Sequence, residues 1–185
     1  MNKRPIYWII PNVISKKEIL SINRIFKKSG IIEPEENAAT VRGMKLKYTA
    51  SKIIKYMHIK KYLSNIIESC YVINKEQYGF DVNPINIHDY ALTNSYGVEG
   101  RYDWHTDVAN NLRFEDFKLT ILLNISVKPY EGGDLEIFNH EIIKVENFKP
   151  GTLVMFPSLY NHRVTPIING ERRSLTLFMK GPLLR

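Results

Sequence analysis

Arg172-Arg173-Ser174-Leu175-Thr176-Leu177-Phe178-Met179 reads with a period of two. Arg172, Ser174, Thr176 and Phe178 fall on one face and Arg173, Leu175, Leu177 and Met179 on the other, the alternation of a half-buried β-strand. Lys118-Leu119-Thr120-Ile121-Leu122-Leu123-Asn124 repeats the device, with Leu119, Ile121 and Leu123 facing one way and Thr120, Leu122 and Asn124 the other. Around these two stretches, the chain from Phe80 onward is a series of short runs rich in Val, Ile, Leu, Thr, Tyr and Phe, broken by Gly, Pro, Asn and Asp. Runs at about 85–91, 101–106, 117–126, 134–138, 141–145, 151–156, 162–167 and 172–180 predict eight strands with hairpin-length links. A mainly β fold follows, a double-stranded β-helix (jelly roll) whose two antiparallel sheets enclose a pocket.

The first third reads differently. Ser15-Lys16-Lys17-Glu18 fits a capping box, and Ile19, Ile22, Ile25 and Phe26 then recur at helical spacing until Gly30, which predicts a helix over 15–29. A second amphipathic stretch runs from Ser51 to about residue 69, with Ile53, Ile54, Met57, Leu63, Ile66 and Ile67 on one side and a break near Lys60. These two N-terminal helices are expected to brace one sheet from outside. Without repeats or a low-complexity linker, residues 1–185 read as a single domain, with 1–79 as helical support and 80–185 as the β core.

The 185 residues are 44% hydrophobic and 24% charged, which is globular composition and excludes disordered or fibrous classes. A lone cysteine, Cys70, closes no internal disulfide and makes no thiolate zinc cluster. No apolar run approaches the roughly 18 residues of a membrane span, and no signal peptide is expected. A cytoplasmic location follows as an expectation, in a bacterium or a phage-infected host, the abundance of Asn, Ile and Lys hinting at an AT-rich genome. Of the net charge of +7, residues 1–70 supply 14 Lys and Arg against 5 Asp and Glu, and residues 71–185 supply 12 against 14. Lys16, Lys17, Lys27, Lys28, Lys52, Lys55, Lys60 and Lys61 all fall in helix-like segments and read as solvated faces, so nucleic acid is not an expected partner.

Tyr102-Asp103-Trp104-His105-Thr106-Asp107 puts His105 and Asp107 two apart in a β-like run, where both side chains point to one face and could share a metal. Such a pair is common in a chain with 19 acidic residues. His162, 57 residues after His105, opens another predicted strand and supplies a third ligand, since strands distant in sequence become neighbours in a jelly roll. Two imidazoles and one carboxylate with open positions suit Fe(II) better than zinc or calcium. On the Arg172 face, the cation followed by Ser174 and Thr176 leaves a polar slot for a dicarboxylate whose far end pairs with the guanidinium while its near end chelates iron. Arg173 reads as exposed. His58, His88 and His140 have no partner motif and read as ordinary histidines.

His105-Thr106-Asp107, Glu131-Gly132-Gly133-Asp134-Leu135, Pro150-Gly151-Thr152-Leu153-Val154-Met155-Phe156-Pro157-Ser158, His162-Arg163-Val164-Thr165-Pro166 and Gly170-Glu171-Arg172 together resemble the Fe(II)- and 2-oxoglutarate-dependent dioxygenases. The likeness runs from about residue 85 to 181 and is strongest to the prolyl-hydroxylase-like branch, including the PKHD-type hydroxylases. The resemblance implies that His105, Asp107 and His162 ligate Fe(II) and that Arg172 binds the distal carboxylate of 2-oxoglutarate. It assigns Tyr90 and Asn124 as further co-substrate contacts, beside the readings of Tyr90 as a core aromatic and Asn124 as a turn-proximal polar group. It also implies O2 as co-substrate, stimulation by ascorbate, and, because Asp107 is present, hydroxylation rather than halogenation. Collagen-type prolyl hydroxylases carry Lys where Arg172 stands. The Arg-x-Asn-x-Thr-x-Arg run of nucleic-acid demethylases is not reproduced at Arg172-Arg173-Ser174-Leu175-Thr176. The expected substrate is a peptidyl proline in a protein or peptide; a free amino acid or other small molecule is the alternative, and a non-catalytic jelly-roll binding module is a third. Segments 93–101 and 108–117, with Arg101 and Arg113, are expected at the pocket mouth.

Overall fold

The structure, a computed structural model, describes residues 4–32, 40–41, 44–45, 47–107 and 115–183. In chain order these form β1 (Trp8–Ile10), α1 (Lys16–Ser29), β2 (Ile31–Ile32), β3 (Thr40–Val41), β4 (Met44–Lys45), β5 (Lys47–Tyr48), β6 (Ala50–Lys55) and α2 (Lys60–Ile73). There follow β7 (Tyr90–Tyr96), β8 (Arg101–His105), β9 (Glu115–Asn124), β10 (Glu131–Gly132), β11 (Leu135–Asn139) and β12 (Glu141–Lys144). The last four are β13 (Leu153–Pro157), β14 (Asn161–Val164), β15 (Ile167–Asn169) and β16 (Arg172–Pro182). No helix among the described residues is long and apolar enough to cross a membrane.

The fold is mainly β, and its paired strands are antiparallel. A seven-stranded sheet runs β1-β13-β9-β16-β7-β6-β2, and a five-stranded sheet runs β12-β11-β14-β8-β5. The period-two alternation divides the large sheet between two tasks. Leu119, Ile121, Leu123, Leu153, Met155, Leu175, Leu177 and Met179 pack with Ile19, Ile22 and Phe26 of α1 and Leu63, Ile66 and Ile67 of α2 in the main core. The alternate residues Leu122, Val154 and Phe156 meet Leu135 and Ile137 of the small sheet in a second core. A slot between the sheets remains open where the inward side chains turn polar.

Helix α1 starts where the sequence predicts. The Ser15 Oγ accepts from the Glu18 amide at 3.3 Å, and a Glu18 carboxylate oxygen accepts from the Ser15 amide at 2.8 Å, satisfying two donors that a helix start leaves open. The second helix starts later than predicted. Residues 50–55 are strand β6, and helix α2 begins only at Lys60, after a single 3₁₀ turn over Tyr56–His58. Adjacent Ile53 and Ile54 suit a strand as well as a helix, and a six-residue register with β7, reinforced by Ser51 Oγ donating to Asn94 Oδ1 at 2.6 Å, decides for the strand. Lys52 and Lys55 therefore lie on a strand, and the Lys52 ammonium donates to the Phe26 carbonyl at the end of α1. Residues before Phe80 are more than helical support: β1, β2 and β6 extend the large sheet and β5 the small one.

The strand expected over 85–91 begins at Tyr90 instead. Residues 86–89 form a turn in which Asp89 accepts from the Asn86 amide and Asn86 from the His88 amide, local bonds that compete with a ladder. Thr93 to Tyr96, expected in a mouth loop, lie within β7.

Replacing the cap should act on the fold alone. Ser15→Ala is expected to lower the unfolding free energy by about 1 kcal/mol in urea denaturation, leaving ligand binding between the sheets unchanged.

Candidate active site

Strands β14 and β8 are neighbours, and their register sets His162 directly opposite His105. Antiparallel partners share a face, so residues 57 apart in sequence bring their rings to a centroid separation of 4.2 Å. Asp107 lies just past the end of β8, where its amide donates to the Ser158 carbonyl at 3.0 Å. Its Oδ1 stands 3.7 Å from His105 Nε2 and its Oδ2 3.4 Å from His162 Nε2. One ligand atom from each of the three residues fits within 4.8 Å of the others.

Both histidines are held in the form a metal needs. His105 Nδ1 is 2.7 Å from the Asp103 carbonyl and His162 Nδ1 is 3.0 Å from the Tyr160 carbonyl. A carbonyl only accepts, so each Nδ1 carries the proton and each Nε2 turns its lone pair into the site. Tyr102 stacks on the His105 ring at 3.4 Å and 10°, and Phe156 meets His162 edge-on at 4.8 Å, which fixes the planes of both rings.

Arg172 occupies the other end of the same cavity, which measures about 230 Å³. It is wholly buried, with its guanidinium carbon 5.1 Å from the Tyr96 ring centre and 5.4 Å from that of Phe148. None of its three guanidinium nitrogens makes a hydrogen bond of normal geometry, and neither does the buried Ser174 hydroxyl. Burial pushes the Tyr96 hydroxyl up to about 12, against the opposing pull of the nearby Arg172 charge. A buried cation without a carboxylate is costly, and five orphaned donors in a fork fit an incoming carboxylate. The two ends of the cavity thus offer an N,N,O donor set suited to Fe(II) and a seat for an anion.

The structure brings His105, Asp107, His162 and Arg172 to one cavity and leaves two expected residues outside its lining. Tyr90, at the first position of β7, is 62% exposed; the aromatic of that strand beside Arg172 is Tyr96, three alternations further along. Asn124 is buried on the expected face, but its amide donates to Tyr130 Oη and the Phe148 carbonyl while its Oδ1 accepts from the Ser126 amide, so it braces the wall behind Arg172. Arg173 pairs with Glu171 and donates to Asn23 of α1. Arg101 pairs with Asp103 and lies over Tyr48, and Arg113, with segment 108–114, lies outside the described residues. His58, His88 and His140 are exposed and stand apart from the cluster. Thr120 and Tyr96 also line the site and Ser158 borders it; the inward phase of 118–124 is the sequence signal for Thr120, whereas Tyr96 falls in a stretch expected as a loop. A larger cleft of about 960 Å³ beside Lys16, Lys128 and Lys149 gathers no comparable ligand set among the described residues.

A sequence model of the 2OG-Fe(II) oxygenase superfamily matches residues 91–180. A PKHD-type hydroxylase of Crocosphaera subtropica is 27% identical over 88% of this chain and 73% of its own length. One of Shewanella oneidensis is 31% identical over 49% of this chain, and the match spans less than half of that relative, 42%. Among solved structures, a Pseudomonas putida prolyl-4-hydroxylase superposes with a TM-score of 0.71 at 18% identity, over 96% of this chain and 94% of its own. A Trichoplax adhaerens prolyl hydroxylase, solved with a peptide fragment of the hypoxia inducible factor oxygen degradation domain, gives a TM-score of 0.67 at 18% identity, over 94% and 83%. The matched span contains every residue that lines the cavity, from Leu92 to Phe178. By sequence over residues 91–180, as well as by the arrangement of its site, the chain is similar to the 2OG-Fe(II) oxygenase superfamily.

Proposed function

We propose that residues 1–185 act as one Fe(II)- and 2-oxoglutarate-dependent dioxygenase domain, a double-stranded β-helix that hydroxylates a peptidyl proline. The observation that carries this reading is the convergence, in one cavity, of the His105–Asp107–His162 donors and an unpartnered buried Arg172. In it, His105, Asp107 and His162 hold Fe(II), and Arg172 pairs with the distal carboxylate of 2-oxoglutarate. Tyr96, kept protonated by burial, has a hydroxyl proton to donate beside it, as does Ser174. The bound iron, 2-oxoglutarate and O2 supply oxidative decarboxylation to succinate and CO2, coupled to hydroxylation of a substrate C–H bond. Leu122, Phe156 and Val164 wall the site and keep water from it.

A peptide fits the described surroundings better than a free amino acid. Arg172 is the sole Lys or Arg among the described residues that line the cavity, so a free amino acid's carboxylate would meet no second cation among them. Phe117 and Phe178, stacked face to face at 4.2 Å, border the cavity with a flat apolar step of the kind a proline ring can lie against. The structural relatives, both prolyl hydroxylases and one of them solved with a peptide fragment, support the same choice.

Three measurements test the reading. Anaerobic titration should find one Fe(II) site, and His105→Ala, Asp107→Ala and His162→Ala should each abolish turnover of 2-oxoglutarate; wild-type activity in two of them would remove these residues as ligands. Arg172→Ala should weaken 2-oxoglutarate binding by about 2–5 kcal/mol, the usual loss on truncating one partner of a buried charge pair. Arg173→Ala should leave that binding unchanged and lower stability slightly. Finally, proline-containing peptides and free L-proline, each incubated with enzyme, Fe(II), ascorbate and 2-oxoglutarate, should show a 16 Da gain by mass spectrometry on peptide only. Hydroxylation of free proline with every peptide untouched would overturn the peptidyl substrate and spare the oxygenase.

A further inference from the structure

Asp107 is the one member of the triad outside a strand, so the ladder that fixes the two histidines does not fix it. The terminal torsion of an aspartate is broad and two-fold, and the carboxylate turns unless something holds it. Thr120 Oγ1, on the inward face of β9, donates to Asp107 Oδ2 at 2.8 Å and lies 2.9 Å from Ser158 Oγ. An ionised carboxylate only accepts, so the single Thr120 proton is committed to Asp107. Ser158 must then donate to Thr120, which gives the chain a direction: Ser158 to Thr120 to Asp107.

Ser158 grips Asp107 a second time. Its carbonyl accepts the Asp107 amide at 3.0 Å, and its own amide donates to the Lys118 carbonyl at 3.0 Å, which ties the assembly to β9. Thr120 is 1% exposed and Ser158 not at all, so bulk water has no access to replace either hydroxyl. Backbone and side chain of the ligand are thereby fixed from one point on the large sheet, while both histidines come from the small one.

We propose that Thr120 is a positioning residue for the metal site, with Ser158 polarising it. Its hydrogen bond sets the rotation of the Asp107 carboxylate, keeping Oδ2 toward His162 and Oδ1 toward His105, and so completes the three-sided donor set before a metal arrives. The inference rests on the metal-site reading of His105, Asp107 and His162.

The test uses the purified full chain and Co(II), a probe that neither oxidises in air nor needs turnover. Thr120→Val, which keeps the side chain's shape and loses its donor, should weaken Co(II) binding about 10- to 100-fold and shift the visible absorption of the bound ion. Thr120→Ser should restore most of the affinity. Ser158→Ala, leaving the Thr120 donor in place, should cause a smaller, several-fold loss. The thermal midpoint and circular dichroism of the metal-free Thr120→Ser and Ser158→Ala proteins should stay near wild type, which a merely structural role for the pair does not allow alongside a change in Co(II) affinity. Wild-type affinity in Thr120→Val overturns the proposal, as does failure of Ser to restore it. Should Thr120→Val not fold, equal Co(II) affinity in Ser158→Ala and wild type overturns it. His162→Ala separates the two readings: if it too binds Co(II) normally, the metal site itself is wrong, whereas loss there with no effect at Thr120 refutes the relay alone.

Discussion

The cross-strand pairing of His162 with His105 is the constraint on which the rest of the site depends. Side chains alternate along a strand, so a slip of β14 against β8 by one residue would send one imidazole to the outer face and break up the His105–Asp107–His162 cluster. The register is defended on the far side of β14, where Ile137 stands opposite His162 and Glu136 opposite Arg163. Arg163 donates to Glu136 at 2.7 Å and lies over Trp104, holding three adjacent strands together on the face away from the cavity. Each of these contacts is small by itself. Together they make the alternative registers poorer.

The large sheet supplies Arg172 and the Thr120 hydroxyl that holds Asp107, and it does so with the same strands that build the core. Ile121 packs beneath the helices, and Thr120, its neighbour in sequence, donates to the Asp107 carboxylate. Leu175 and Leu177 are core, and Ser174 and Thr176 line the cavity between the sheets. Core packing therefore locks the positions of the polar side chains, since a shift of the strand that moved one would strain the other. The anion end is shaped in addition by a turn: Gly133 has a φ of +63°, and a side chain there would collide with Ile167 and with the aliphatic stem of Arg172.

Much of this was legible in the sequence for a definite reason. Alternation survives in any half-buried strand, so the faces of 117–124 and 172–179 could be assigned, and His105, Asp107, His162 and Arg172 could be placed facing inward. What could not be read were features settled by partners distant in the chain. The helix predicted from Ser51 gives way to a strand because β7 offers six residues of pairing, which outweigh a short stretch of local helical periodicity. Tyr90 and Tyr96 have the same phase on β7, and only the position of Arg172 opposite Tyr96 across the β16–β7 ladder tells which of them reaches the cavity. Asn124 likewise has the inward phase, but Tyr130 and Phe148, brought from later loops, claim its side chain.

Arg172 is buried with no carboxylate among the described residues paired to its guanidinium. A buried charge of this kind is an unfavourable term within a total stability of only about 5–15 kcal/mol. A ligand that binds the folded chain and not the unfolded one adds roughly 2.7 kcal/mol at a hundred times its dissociation constant. Where Arg172 seats the distal carboxylate of 2-oxoglutarate, as proposed above, the folded population becomes a function of the surrounding dicarboxylate concentration. A cell depleted of that metabolite would hold the protein in its most protease-sensitive form, so abundance, as well as turnover, would follow the metabolic state.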